Sequence, residues 1–143
     1  PQCGEDYLGR ISGPLMDRID LRVEVPPVAY SDLDLPDTGD SSATVADRVA
    51  RARDAQTARF TDHPAIRVNA DAEGQLLEDI ASPDAEGRDL LVKVAERFGL
   101  SARGYHRVLR VARTIADLDG EATVRKPHVA EAVSYRLSVQ AGR

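Results

Sequence analysis

From Ser42 to the end of the chain, apolar residues recur at the 3.6-residue period of helices packed on one side. Ahead of that region one short stretch keeps a period of two. In Ile19-Asp20-Leu21-Arg22-Val23-Glu24-Val25, apolar and charged residues alternate as in a half-buried β-strand. Pro26-Pro27 ends it, because neither proline can donate to a ladder. Just before it, Gly13-Pro14-Leu15-Met16-Asp17-Arg18 reads as one helical turn with Pro14 at its first position. No second convincing strand follows. The strand therefore needs a sheet that the chain itself does not supply.

Residues 28–42 carry Asp32, Asp34, Asp37 and Asp40 among Ser, Pro and Gly, the composition of an exposed acidic linker. A helix is expected over Ala43–Phe60, capped by Ser42, with Val45, Val49, Ala52 and Phe60 on one side. A loop at His63-Pro64 leads to a weak helix near Ala70–Ala81 with Leu76, Leu77 and Ile80 apolar. Ser82-Pro83 offers a cap and a first-position proline for the next helix. That helix is expected to bury Leu90, Leu91, Val94 and Phe98 and to stop at Gly99. Ser101 caps a helix running to about Asp119 and Gly120, and a last helix begins near Pro127 with Val129, Ala132, Val133 and Leu137 inward. The expected fold is mainly α: a small helical bundle preceded by one short strand.

Composition narrows the function. The 143 residues suffice for one domain with a core, at 42% hydrophobic and 30% charged residues. A net charge of −5 excludes a molecule that is basic all over, so nucleic acid would have to meet a local patch. The basic residues are nearly all arginine, with Lys93 and Lys126 the only lysines. A lone cysteine, Cys3, gives no internal disulfide, and no apolar run is long enough to span a bilayer. The simplest expected location is the bacterial cytoplasm. The start at Pro1 suggests a piece of something longer.

The Ser101–Asp119 helix carries the most chemistry. Tyr105, Val108, Leu109, Ala112, Ile115 and Ala116 form an apolar stripe, and Arg103, His106, Arg107, Arg110 and Arg113 fall on the opposite side. Such a face is either a solvated surface or a phosphate-binding one, since guanidinium forks match phosphate oxygens. The helix macrodipole favours acids at the start and bases at the end. Here Arg103 stands in the first turn and Asp117 and Asp119 in the last, an order that makes sense where an arginine and a helix start meet one anion.

The stretch Ser101-Ala102-Arg103-Gly104-Tyr105-His106-Arg107-Val108-Leu109-Arg110-Val111-Ala112-Arg113 closely resembles the lid helix of magnesium-chelatase-like AAA+ ATPases of the ComM/YifB type. Arg10-Ile11-Ser12-Gly13-Pro14-Leu15-Met16-Asp17-Arg18-Ile19-Asp20-Leu21 resembles the end of that family's ATPase core. His128-Val129-Ala130-Glu131-Ala132-Val133-Ser134-Tyr135-Arg136 resembles its closing helix. The resemblance implies three regions: residues 1–25 as the tail of the AAA+ α/β core, 26–42 as linker, and 43–143 as helical lid. It implies ATP and Mg²⁺ as cofactors, identical neighbours in a ring hexamer, and DNA as substrate in branch migration during competence. It also implies that Arg18 is an arginine finger reaching a neighbour's nucleotide and Arg103 a sensor 2 arginine; Arg107, on the same arginine face of the helix, is a further candidate for binding the nucleotide. By the residues alone, Arg18 has a second reading as a salt bridge to Asp17 or Asp20. Whether Arg103 serves its own subunit or the next stays open.

No glycine precedes a lysine, so the phosphate-binding loop is absent, and no apolar strand ends in Asp-Glu to hold magnesium. The chain alone is therefore expected to be inactive as an ATPase. His63, His106, His128 and Cys3 lack ligand spacing, and no metal site is expected. Two other functions compete: the ATPase subunit of magnesium chelatase, and a free-standing helical DNA-binding module with the Ser101 helix in the major groove.

Overall fold

In a computed structural model of the chain, residue 15 and residues 17–30 and 39–137 are described. Expectations for Cys3, for Arg10–Pro14 and for Asp32, Asp34 and Asp37 of the acidic linker lie outside the described residues. The described residues hold five α-helices and one 3₁₀ turn: α1 (Ser42–Arg59), the 3₁₀ turn (Asn69–Asp71), α2 (Gly74–Ala81), α3 (Ala85–Phe98), α4 (Ala102–Leu118) and α5 (Lys126–Leu137). Helix α4 is the central one, packed against α1, α2 and α5, while α3 rests on α5. Its stripe meets Leu77, Leu91, Val129 and Ala132 in the core, where Leu109, Ala112 and Ala116 are fully buried. Each buried Leu or Val contributes roughly 1.5–3 kcal/mol relative to exposure.

The local signals explain most helix ends. Ser101 caps α4 by accepting from the Gly104 N–H at 3.1 Å, and Gly99 ends α3 at φ 61°, a left-handed position that a side chain would strain. Two caps fall elsewhere than expected. Ser41, not Ser42, accepts from Thr44 N–H at the start of α1. Asp84, not Ser82, caps α3 through Gly87 N–H at 2.7 Å. Pro83 instead forms an isolated parallel bridge with Val124, where Asp84 N–H donates to the Val124 carbonyl at 2.9 Å. An extended contact there excludes Pro83 from a first helical turn.

The expected strand is not formed: no strand is found among the described residues. Residues 21–29 lie without regular structure, and Leu21, Val23 and Val25 are exposed. Alternation makes a strand only where a neighbour supplies a ladder. Here the Arg22 N–H donates to the Tyr135 carbonyl at the end of α5 instead, at 2.8 Å. The expected inward face of α1 is also only partly right. Ala52 and Phe60 are buried, but Val45 and Val49 are more than 40% exposed, since only the C-terminal part of α1 meets the bundle. Phe98 stands at the surface as well.

A further departure concerns Arg113, expected on the exposed polar side of α4. It is the largest fully buried side chain among the described residues. Its Nε and Nη2 donate to Asp117 Oδ1 at 3.1 and 2.9 Å, and its Nη1 donates to the Ala122 carbonyl at 2.7 Å. Asp117 also accepts from both Nη atoms of Arg59 on α1, at 2.9 and 2.5 Å, and from Asn69 Nδ2 at 2.8 Å. Gln56 completes the group by accepting from Asn69 N–H at 3.2 Å. One carboxylate thus joins α1, the 3₁₀ turn and α4. Burial pushes the Asp117 carboxyl up, but the hydrogen bonds of Arg59 and Asn69 and the charges of Arg113 and Arg59 outweigh it, leaving it below the usual carboxylate range. Burial lowers the Arg113 guanidinium, with Asp117 opposing; it stays charged at any physiological pH.

Gly87 tests the packing of α3 on the start of α5. A Cβ there would lie 2.9 Å from Asp84 Oδ1, 3.0 Å from Pro83 Cβ and 3.2 Å from the Lys126 backbone nitrogen. The expected result for Gly87→Ala is destabilisation by about 1–3 kcal/mol, as for other overpacked sites. Helix propensity alone predicts a gain from the same change, so the sign of the shift in a urea melt decides between them.

Candidate functional site

The candidate residues meet where residues 17–22 cross the start of α4 and the end of α5. The turn that carries Arg18 is closed by its N–H donating to the Leu15 carbonyl at 3.0 Å. Arg18 is exposed, and its guanidinium has no hydrogen bond or ion pair among the described residues. The acids on either side of it are taken by other partners. Asp17 Oδ1 accepts from Arg136 Nη2 at 2.7 Å, and Asp17 Oδ2 accepts from Ser101 Oγ at 3.2 Å. Asp20 accepts from Arg107 in a short ion pair. The salt bridge of Arg18 to Asp17 or Asp20 is therefore not made.

Along α4 the five basic positions have different surroundings. Arg103, in a first turn without acids, is exposed and its side chain is free of hydrogen bonds and ion pairs among the described residues. His106 Nε2 lies 3.6 Å from Glu78, and Arg107 is held by Asp20. Arg110 donates from Nε to the Ala72 carbonyl at 2.9 Å and lies 3.6 Å from Glu73. Arg113 belongs to the interior. A face that looks uniformly basic in sequence is mostly neutralised by acids from α2, its preceding loop and the 17–22 segment.

The unusual charge order of α4 receives a structural explanation at its C-terminal end. Asp117 serves the buried arginine pair, and Asp119 lies 3.3 Å from His128 Nε2. At the N-terminal end, the carboxylate that meets the helix start is Asp17, through the capping serine. Arg103 itself has no such explanation.

Sequence reasoning gave no role to Arg136, although it closes one of the resembling stretches. It is 5% exposed and lies against Gly104, where a Cβ would come within 3.1 Å of its Nη2 and 3.3 Å of its Nε. A glycine inside an otherwise regular apolar stripe is the signal that something approaches the backbone closely. Among the described residues, no group of three or more His, Cys, Asp or Glu is placed to hold a metal ion. No described helix is long and apolar enough to cross a membrane.

The family model for the C-terminal part of the magnesium chelatase subunit ChlI matches residues 39–136, well over half of the chain. The chain belongs to this family. The model for the magnesium chelatase subunit ChlI itself matches residues 1–33. Among curated relatives, the competence protein ComM of Haemophilus influenzae is 40% identical over 141 residues, 98% of this chain and 27% of that protein. YifB of Escherichia coli is 39% identical over 133 residues, 91% of this chain and 25% of that protein. The Rv2897c protein of Mycobacterium tuberculosis is 40% identical over 130 residues, again 91% of this chain and 25% of the relative. This chelatase-family chain thus spans about a quarter of the length of the curated relatives it matches. Its helical bundle, from α1 to nearly the end of α5, coincides with the part that the C-terminal model covers.

Proposed function

We propose that the chain is the C-terminal part of an ATP-hydrolysing AAA+ motor subunit, with residues 43–143 as its lid and 1–25 as the end of its α/β core. The observation that carries this reading is the joint between Asp17 and Ser101, which brings the turn of Arg18 beside the start of α4, with the guanidiniums of Arg18 and Arg103 both unpaired among the described residues. Phosphoryl transfer leaves the protein mainly positioning and charge stabilisation to perform. Two such guanidiniums suit that task at the terminal phosphate of ATP. The rest of the nucleotide and Mg²⁺ would be held by parts of the subunit outside this chain. Arg18 then serves as the finger toward a neighbouring subunit of a ring hexamer, and Arg103 as the sensor 2 contact. Arg107, engaged by Asp20, steadies that face and is not the leading nucleotide contact.

The similarity to a competence protein favours DNA as the substrate and the cytoplasm as the place of action. A second reading, the ATPase subunit of magnesium chelatase, has the name of the matching family model in its favour. Stimulation of turnover by branched DNA supports the first; Mg²⁺ insertion into protoporphyrin supports the second. A free-standing DNA-binding module is disfavoured, because α4 is the most buried helix and its basic side meets Asp20, Glu73 and Glu78.

Arg103→Ala in the complete subunit tests the proposal. Its expected effect is a clear fall in ATP turnover with stability unchanged within about half a kcal/mol, as for an exposed site. Normal turnover in a folded variant would remove Arg103 from the site. The 143-residue chain by itself is expected to hydrolyse no ATP above a heat-inactivated control.

A further inference from the structure

We infer that Arg136 is a positioning residue that fastens the Arg18 turn to the helical bundle, so that Arg18 and Arg103 move as one unit. The inference rests on the reading of Arg18 as a finger and goes beyond it by naming what holds the finger in place.

Five contacts make the clasp. Arg136 Nη2 donates to Asp17 Oδ1 at 2.7 Å, and its Nη1 lies 3.4 Å from the Ile19 carbonyl. The other Asp17 oxygen accepts from Ser101 Oγ, and that same oxygen of Ser101 caps α4. The Arg22 backbone N–H donates to the Tyr135 carbonyl at 2.8 Å, and Arg107 pairs with Asp20. These contacts lie on both sides of Arg18 in sequence. Arg136 is the one among them that is buried, and Gly104 leaves the space in which its planar guanidinium lies. A buried arginine with two acceptors on one short segment fixes both its distance and its direction.

The consequence is mechanical. The 17–22 segment forms no ladder within the described residues, yet it is bonded to α4 and α5 through chain separations of more than 80 residues. Motion of the helical bundle is therefore transmitted to Arg18 through Asp17. A finger misplaced by about 1 Å is enough to lose on the order of 10²-fold in rate.

The test uses the complete subunit carrying Arg136→Met, Arg18→Ala, or both, with Arg136→Lys as the conservative variant. Arg136→Met is expected to lower kcat at least ~10-fold, toward that 10²-fold limit, with KM for ATP nearly unchanged. On the Arg18→Ala background it is expected to have no further effect, because it acts through Arg18. Arg136→Lys, which keeps a donor for Asp17, is expected to recover part of the loss. Hydrogen exchange followed by mass spectrometry is expected to show lost protection over residues 17–22 in Arg136→Met, with α2 to α5 unchanged. Unchanged protection of 17–22 overturns the clasp whatever Arg18 does. Multiplying effects in the double variant, or loss of protection throughout the bundle, overturn positioning in favour of a structural role. Lost protection together with wild-type turnover in Arg18→Ala overturns the finger reading, and the proposed purpose of the clasp with it.

Discussion

Replacing Arg18 by alanine in the complete subunit is expected to cut ATP turnover by about 10³–10⁵-fold, the usual worth of an arginine finger. That range corresponds to roughly 4–7 kcal/mol of transition-state stabilisation. Binding of ATP is expected to persist, since the proposed function assigns the phosphate loop to a part of the subunit outside this chain. Folding is expected to persist as well, because the guanidinium is exposed and its neighbours Asp17 and Asp20 are bonded to Arg136 and Arg107. Mixing these subunits with subunits that lack the phosphate-loop lysine should restore part of the activity. Some interfaces in mixed rings then pair an intact lysine with an intact Arg18. Steady-state turnover of the mixture, against each variant alone, is the measurement. Absence of rescue in rings shown to be mixed would count against action across a subunit boundary.

The largest expected effect on stability falls on Asp117. Asp117→Asn leaves Arg113 buried and Arg59 part-buried without their shared counter-charge, and such a change typically costs about 3–5 kcal/mol. A chain of this size is commonly stable by only about 5–15 kcal/mol. The melting temperature should therefore drop by roughly 10 °C. The pH dependence gives a second check. The Asp117 carboxyl is held below its ordinary value in the fold, so its contribution is fully present above the unfolded value of about 3.9 and is lost as pH falls through the folded one. The wild-type advantage over Asp117→Asn should stay constant near neutrality and shrink as pH falls below about 4. Urea midpoints across that range measure it, and a constant difference down to strong acid would mean that the charge of Asp117 is not what stabilises the joint.

Several elements were legible because their causes are local. The α4 stripe, the Ser101 cap and the Gly99 stop depend on residues within one or two turns, and all three stand where the sequence puts them. Family membership was legible too, since it rests on long runs of side chains in a fixed order. Where a tertiary partner decides, the same reasoning failed. Val45 and Val49 keep helical spacing but lie beyond the reach of the bundle. Ile19–Val25 alternates like a strand, but no described strand lies beside it to supply a ladder. Arg113 shares its helical period with Arg103, yet one is fully buried and the other exposed.

The candidate site divides in the same way. Sequence by itself determined which side chains are long, permanently charged cations and placed Arg103 in a first helical turn and Arg18 before an alternating segment. It did not determine which of those cations are neutralised. For two of them that depends on acids distant in the chain, Asp20 for Arg107 and Glu73 for Arg110, whereas Arg113 meets Asp117 one helical turn away. It depends equally on Arg136 engaging Asp17 across more than a hundred residues, leaving Arg18 beside it without a partner among the described residues. Ion pairing acts over a few ångströms in space and is blind to separation along the chain. Helical period and caps are encoded by near neighbours; the choice of which arginine stays unpaired was made only when the chain closed on itself.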